Sequence, residues 1–367
     1  MLAPVNTIGL AACDCLTPLG HREQTLEALL AGQSALAAVP VRGRDGGDPV
    51  PLALLPGREL DEAIPPAWLD PLRRLLQPVI DEGWGRARRP VCFASSNFGI
   101  GSVYAFRRES NPAHLACGAP HRCVEWIRTS FGWGENVAIF SHACVSAHLA
   151  LLHASRLVEA GVADEVLVVS FDFLSPFVAG GFHALKILNG AFPAPYQDRP
   201  TGAIALGDGA AYAVITRQPS AFTLNGQSIY NEMHHFTANR PDGAGFVAVL
   251  EGVQTAGRRV WLKGHGTGTL ETGRQESSAL AAKYPDAPLV GWKGALGHTL
   301  GSCGLVELAI AAAALRRGRC PGTVGSQRPT FTGNVALEAF DTSAFDGVVC
   351  TSNAFGGAHA VLLLSHA

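Results

Sequence analysis

One cysteine and two histidines stand in settings that could do chemistry. Cys144 lies in Ser141-His-Ala-Cys-Val-Ser-Ala147, after an apolar run at 137–140 and before a helical one. A thiol there feels the positive end of the helix dipole and the unpaired N–H groups of the first turn. Both favour thiolate, the nucleophilic form. The plainer reading is a buried structural cysteine, as most free cysteines are. His265 lies in Gly264-His-Gly-Thr-Gly-Thr269, where glycines strip one side of a loop and Thr267 and Thr269 offer hydroxyls beside the imidazole. His298 lies in Lys293-Gly-Ala-Leu-Gly-His298 and opens an Ala-rich helix. A helix N-terminus disfavours imidazolium, and a neutral imidazole can still donate one N–H to a developing oxyanion. Each histidine alone could equally be a turn or cap residue. Near the end, Phe355-Gly356-Gly357 puts a bulky side chain on a loop able to move, suited to gating a pocket and offering a backbone N–H to an oxyanion.

These groups need a frame that brings distant turns together. Apolar strand-like runs occur at 7–10, 91–94, 137–140, 166–170, 260–262, 289–292, 348–351 and 360–364. Helical spacing marks 22–31, 69–84 with an interruption at Pro78, 147–160 closed by Gly161, and 301–316. The stretch 13–20 reads as turn-rich and 40–66 as loop. Strand, small-residue turn, helix, strand is the order of an α/β protein with a buried sheet. A second half with the same grammar begins near residue 221, which suggests duplication. Cys144, His265 and His298 each follow a strand, so they would converge at strand ends.

Composition narrows the class. The chain has 367 residues, 16% of them charged and 47% hydrophobic, with 42 glycines and 23 prolines. Charge is well under the usual quarter, so much of the chain must be buried, and the Gly and Pro excess points to tight turns. A net charge of −2 argues against a nucleic-acid binder. The apolar run at 305–315 is too short for a membrane span and carries Glu307, and the N-terminus lacks a basic signal region. Nine cysteines without a disulfide-like framework suit a reducing cytoplasm.

Taken jointly, the motifs resemble a β-ketoacyl synthase of the condensing-enzyme, thiolase-fold superfamily, on its Cys-His-His elongating branch. The matches run in the family's order: Gly9 with Thr17-Pro-Leu-Gly20, Ala143-Cys144 with Ser146, Gly207-Asp-Gly-Ala210, His265 to Thr269, Lys293 with Gly297-His298, and Phe355-Gly356-Gly357. The segment 231–237, ending His235-Phe-Thr, resembles a second gating loop. The resemblance covers nearly the whole chain. It implies a five-layer αβαβα fold of two duplicated halves, divided here as 1–220 with the cysteine and 221–367 with both histidines. It implies that Cys144 takes an acyl group from a thioester. His265 and His298 would hold the thioester carbonyl of malonyl-carrier protein and the enolate left by decarboxylation, with Lys293 as electrostatic support. The N–H groups of Cys144 and Phe355 would form the oxyanion hole. Thr267 and Thr269 would touch the pantetheine arm, Phe182, His235, Phe355, Gly356 and Gly357 would gate the pocket, and Glu276 resembles the family's acidic residue after the first histidine. It implies no metal or other cofactor beyond the phosphopantetheine of an acyl carrier protein. It also implies a homodimer or a heterodimer with another ketosynthase-like subunit.

Several residues depart from the pattern. Val145, His142, Lys263 and Cys303 replace more usual types, and the chain reads as shorter than typical elongating synthases, mainly between 40 and 137. These features suggest a specialised member, in fatty-acid, type II polyketide or polyene assembly. They also leave open a largely non-catalytic partner subunit of the chain-length-factor kind, although such partners usually lose the nucleophile that Cys144 provides. A further alternative is a zinc site in His114, Cys117, His121 and Cys123, whose spacing fits no standard pattern well. Arg73, Arg74, Arg107, Arg108 and Arg199 are candidate contacts for an acidic carrier protein, each more simply read as surface charge.

Overall fold

The computed structural model describes residues 8–41, 47, 49–60, 65–84 and 89–367. Its main sheet is formed by β1 (Ile8–Thr17), β2 (Val91–Ala94), β3 (Val137–Phe140), β4 (Glu165–Asp172), β5 (Gly209–Thr216), β6 (Phe222–Asn231), β7 (Val260–Lys263), β8 (Pro288–Val290), β9 (Asn334–Val335), β10 (Gly347–Ala354) and β11 (Ala358–His366). The spatial order is β9-β8-β7-β10-β11-β6-β1-β5-β4-β2-β3. β1 and β6 meet antiparallel at the centre. On either side comes another antiparallel neighbour, β5 or β11. Outside these lie the parallel strands, β4-β2-β3 on one flank and β10-β7-β8-β9 on the other. The same order of strands is thus traced twice by the chain, once before and once after β6.

The helices are α1 (Arg22–Leu30), α2 (Pro65–Asp81), α3 (Ile100–Glu109), α4 (Pro120–Phe131), α5 (Ser146–Glu159), α6 (Pro176–Ala184), α7 (Ala244–Glu251), α8 (Leu270–Lys283), α9 (Lys293–Leu296) and α10 (Cys303–Arg317). Strand alternation sorts the layers. In β4, Val166 and Val168 join a central core with α5 and α10, while Leu167, Val169 and Phe171 join an outer core with α2 and α4. In β10 and β11, Val348, Cys350, Leu362 and Leu364 face the same central core, while Val349, Val361 and Leu363 face α7 and α8. The result is helix, sheet, helix, sheet, helix, the five-layer α/β arrangement expected of a thiolase-like fold. The middle layer is α5 and α10, and α10 is buried all round from Cys303 to Leu315. Burial on every side explains its Ala-rich composition, which lets both flanking sheets approach.

The differences from expectation have local causes. β1 continues to Thr17 through a register shift between Leu10 and Ala12, because 13–16 pairs with β5. β5 itself, Gly-Ala-Ala-Tyr-Ala-Val-Ile-Thr, carries little strand propensity; its alanines 211 and 213 are small because they pack against the central helices. Part of the supposed loop 40–66 is a strand, Pro49–Ala53, that pairs with Leu206–Gly207, while 42–46, 48 and 61–64 lie outside the described residues. Pro78 does not interrupt α2, which holds both Pro71 and Pro78. Packing of Trp68, Leu72, Leu75, Leu76 and Val79 into the outer core outweighs the lost backbone bonds. Trp68 alone stacks on Phe173 at 5.4 Å and tilts against Phe171 at 5.2 Å.

Candidate active site

Two strand-ending turns and the turn after α9 deliver the three predicted groups to one cleft. Cys144 sits on the turn from β3 into α5. Ala143 before it takes a left-handed φ of 44°, which turns the chain sharply enough to present the thiol. The turn is held by Ser146, whose hydroxyl accepts from His142 N–H at 2.8 Å and donates to the Ala143 carbonyl at 2.7 Å. Val145, one of the unusual residues, is fully buried against Ala354, Ala358 and Ala360 of the β10–β11 hairpin. It fastens the cysteine turn to the hairpin whose tip is Phe355-Gly356-Gly357.

His265 follows β7. Its turn is clamped by Glu276 from α8, whose carboxylate accepts from His265 N–H at 2.5 Å, Gly266 N–H at 3.1 Å, the Tyr196 hydroxyl at 3.0 Å and the Thr351 hydroxyl at 2.7 Å. His298 follows α9, and here the Gly207-Asp-Gly motif finds its purpose. Gly207 N–H donates to the His298 carbonyl at 3.1 Å and His298 N–H to the Ala205 carbonyl at 2.7 Å. A Cβ on Gly207 would meet the Leu296 carbonyl oxygen at 2.0 Å, so only glycine allows these two chains to cross. Asp208 in turn pairs with fully buried Arg58 at 2.7 Å and accepts from Leu55 and Leu174 N–H.

His298 Nε2 lies 3.0 Å from Cys144 Sγ, and the His265 ring stands edge to face with His298 at 4.9 Å between centroids. Both imidazoles are buried, and the Nδ1 of each has no hydrogen-bond partner. Burial first, then the charges of Lys293 and Lys263, hold both far below the usual histidine range, so both are neutral. Burial also pushes the Cys144 thiol up, against the opposing pull of Lys293. Desolvation thus opposes the pull of the helix start toward thiolate and favours a thiol beside a neutral imidazole.

Phe182 and Phe355 line the cleft and stack on each other at 5.7 Å and 22°. Thr267 and Thr269, linked to each other at 2.9 Å, line it, as do Ile187, Ile204, Thr237, Asn239, Thr272 and Asn353. Of the loop expected to gate through His235, it is Thr237 and Asn239 that reach the cleft; His235 is exposed and stacks on Phe236 at 4.4 Å. Gly356 and Gly357 adopt φ of 86° and 69°, the conformation that turns the hairpin under Phe355. Lys293 is buried and its Nζ donates to Glu307 at 2.7 Å. Sequence reasoning passed over Glu307 as a partner, though a lone acid in an otherwise apolar helix was the signal.

The residues of the zinc alternative do not converge. His114 bonds Glu109 at 2.8 Å, Cys123 is buried in the outer core, and no metal-like cluster occurs among the described residues. Of the proposed carrier contacts, Arg73 donates to the Ser130 carbonyl at 2.8 Å and lies over Phe131, and Arg199 donates to the Phe192 carbonyl at 3.0 Å.

Comparison with known proteins agrees with this architecture. Residues 222–327 match the family described as β-ketoacyl synthase, C-terminal domain. The chain is 28% identical over 259 residues to the tetracenomycin polyketide synthase ketoacyl synthase alpha subunit of Streptomyces glaucescens, covering 62% of this chain and 60% of that one. It is 27% identical over 262 residues to 3-oxoacyl-[acyl-carrier-protein] synthase 2 of Coxiella burnetii, covering 63% and 62%. The match thus spans about three-fifths of these relatives' length. A chain of the solved complex of the ketosynthase ApeO with its chain length factor ApeC, from Xenorhabdus doucetiae, superposes with a TM-score of 0.82 over 100% of both chains at 22% identity. In sequence the chain is similar to β-ketoacyl synthases, and its fold is that of the solved ketosynthases.

Proposed function

We propose that this chain is a β-ketoacyl-[acyl-carrier-protein] synthase acting in fatty-acid or type II polyketide or polyene assembly. The observation that carries the reading is the contact of His298 Nε2 with Cys144 Sγ at 3.0 Å, beside a second neutral imidazole in one closable cleft. In the loading step the Cys144 sulfur attacks the carbonyl of an acyl thioester. His298 takes the thiol proton, and the carrier thiolate leaves and is protonated. In the second step a malonyl thioester loses carbon dioxide. The electron pair of the broken C–C bond moves into an enolate, held by N–H donors of His265 and His298. The enolate carbon then attacks the acyl carbonyl on Cys144, and the thiolate departs and regains a proton. Neutral imidazoles suit this task because each donates a hydrogen bond without surrendering a proton.

The N–H groups of Cys144 and Phe355 would hold the tetrahedral oxyanion, and Lys293 adds positive charge behind the site. Thr267 and Thr269 would bond the pantetheine arm, whose amides match their hydroxyls, and the Phe182–Phe355 stack would gate entry with Gly356 and Gly357 as its hinge. The chemistry needs no metal or redox group; its carrier is the phosphopantetheine of an acyl carrier protein. All nine cysteines are free, which fits the cytoplasm. Edge strand β3 leaves Ile139 exposed and its other residues half-buried, a surface suited to a second ketosynthase-like subunit, identical or not. A second reading, a non-catalytic partner subunit, draws on the Xenorhabdus ketosynthase being paired with a chain length factor. Condensation by the purified assembly separates the two: Cys144→Ala abolishes it if this chain is the catalyst, and undiminished condensation by that variant overturns the catalytic reading.

A further inference from the structure

Behind the two histidines lies an arrangement of which the mechanism above uses only Lys293. Glu307, on α10, is the carboxylate for two lysines at once. Lys293 Nζ donates to one oxygen at 2.7 Å and Lys263 Nζ donates to the other. All three side chains are almost completely buried, the lysines at 1% exposure and the glutamate at 4%. Lys263 closes β7, two residues before His265, and Lys293 opens α9, five residues before His298. A single carboxylate therefore ties both histidine turns to the central helix. Two cations and one anion leave a net positive charge in a dry interior, where water cannot dilute it.

Of His148, Cys303, Cys350 and Glu276, which face this cluster, only Glu276 opposes that charge, and its hydrogen bonds go to the His265 turn, Tyr196 and Thr351 rather than to either lysine. From α5 comes His148, whose two ring nitrogens are buried without partners and whose protonation burial pushes down to about 3. From α10 comes Cys303, a thiol raised by burial to about 11, and from β10 comes Cys350, raised to about 12. From α8 comes Glu276, whose carboxylate is occupied by the His265 and Gly266 N–H groups and the Tyr196 and Thr351 hydroxyls. A buried ion pair with a surplus charge is costly to hold, so Lys263 stands in this fold at a cost in stability.

We propose that Lys263 is a positioning residue for the histidine pair: through Glu307 it fixes the His265 turn against that of His298, and its charge adds to that of Lys293 behind the two imidazoles. This rests on the reading of the two histidines given above. Lys293 alone would neutralise Glu307; with Lys263 added, the interior favours negative charge developing in the cleft and resists protonation of either imidazole.

The test needs no substrate, so it stands apart from the proposed activity. Imidazole resonances of His265 and His298 are followed by NMR against pH in the full chain with labelled histidine, in the parent, Lys263→Met, Lys263→Gln and Lys263→Arg. The parent and Lys263→Arg keep both rings neutral to the lowest pH at which the fold survives. In Lys263→Met and Lys263→Gln at least one midpoint rises by about one pH unit, the size expected for removing a buried charge several ångströms away. Thermal melting provides the second readout: Lys263→Met leaves a balanced Lys293–Glu307 pair and melts no lower than the parent. Unchanged histidine titration in Lys263→Met, or restoration of the parent titration by uncharged Lys263→Gln, overturns the charge role. A lowered melting temperature with unchanged titration reduces Lys263 to a structural residue.

Discussion

Replacing Glu307 by Gln is the sharpest structural perturbation this molecule offers. Gln keeps the shape and one acceptor but removes the carboxylate shared by Lys263 and Lys293. Two buried ammonium groups are then left uncompensated. Removing one partner of a buried ion pair costs about 3–5 kcal/mol. For 367 residues an unfolding entropy of roughly 2.1 cal/mol/K per residue gives about 0.8 kcal/mol per degree. The melting temperature should therefore fall by about 4–6 °C. The deficit also has a pH signature. Lys263 is already pulled below the ordinary lysine range by burial, and without Glu307 that lowering deepens. A lysine lowered in the folded state binds fewer protons there than in the unfolded chain, so stability rises with pH between the folded value and the free value near ~10.4. The gap between variant and parent should narrow from pH 7 toward pH 10. Melting curves of both proteins at each pH measure it. A variant as stable as the parent at pH 7, or a gap that widens with pH, would refute the buried two-lysine cluster.

Three further outcomes follow from the geometry. Because burial raises the Cys144 thiol, its alkylation by a small reagent should accelerate about tenfold per pH unit from 7 to 9 without a plateau; a plateau near neutrality would show a resting thiolate. Phe182→Ala removes the stack on Phe355, an interaction of about 0.5–1.5 kcal/mol, and should raise labelling of Cys144 by a bulky maleimide about two- to tenfold, read by intact mass. Asp208→Asn leaves buried Arg58 unpaired beneath the chain crossing that sets His298, so it should lower both the melting temperature, by roughly 5 °C, and any condensation rate, the first seen by calorimetry and the second by carbon dioxide release.

The turns of the candidate site are legible because close approach or left-handed backbone demands glycine there, as in Gly-His-Gly-Thr-Gly-Thr and Phe-Gly-Gly. The long buried strands with strong apolar character, β4 and β10, were legible for the same reason that they are buried. β5 was not, since its alanines answer to helices packed from elsewhere in the chain, and no local pattern announces that. α2 was misjudged at Pro78 because a hydrogen-bond rule was weighed without the tryptophan and leucine packing that outweighs it. The raised thiol is not legible because the helix start is a local feature, whereas the burial that opposes it is built by residues far off in sequence, His298 and Cys303 among them. Glu307 was seen only as a charge in an apolar helix; its two lysine partners come from turns 44 and 14 residues away.

The central claim is that Cys144 carries the acyl group. Intact-mass analysis of the purified chain, mixed with a panel of acyl-carrier proteins of different acyl lengths, tests it directly. The account predicts a mass gain equal to one acyl group with at least one member of the panel, mapped to Cys144 and lost in Cys144→Ala. No gain with any acyl carrier, or an equal gain in Cys144→Ala, would contradict it.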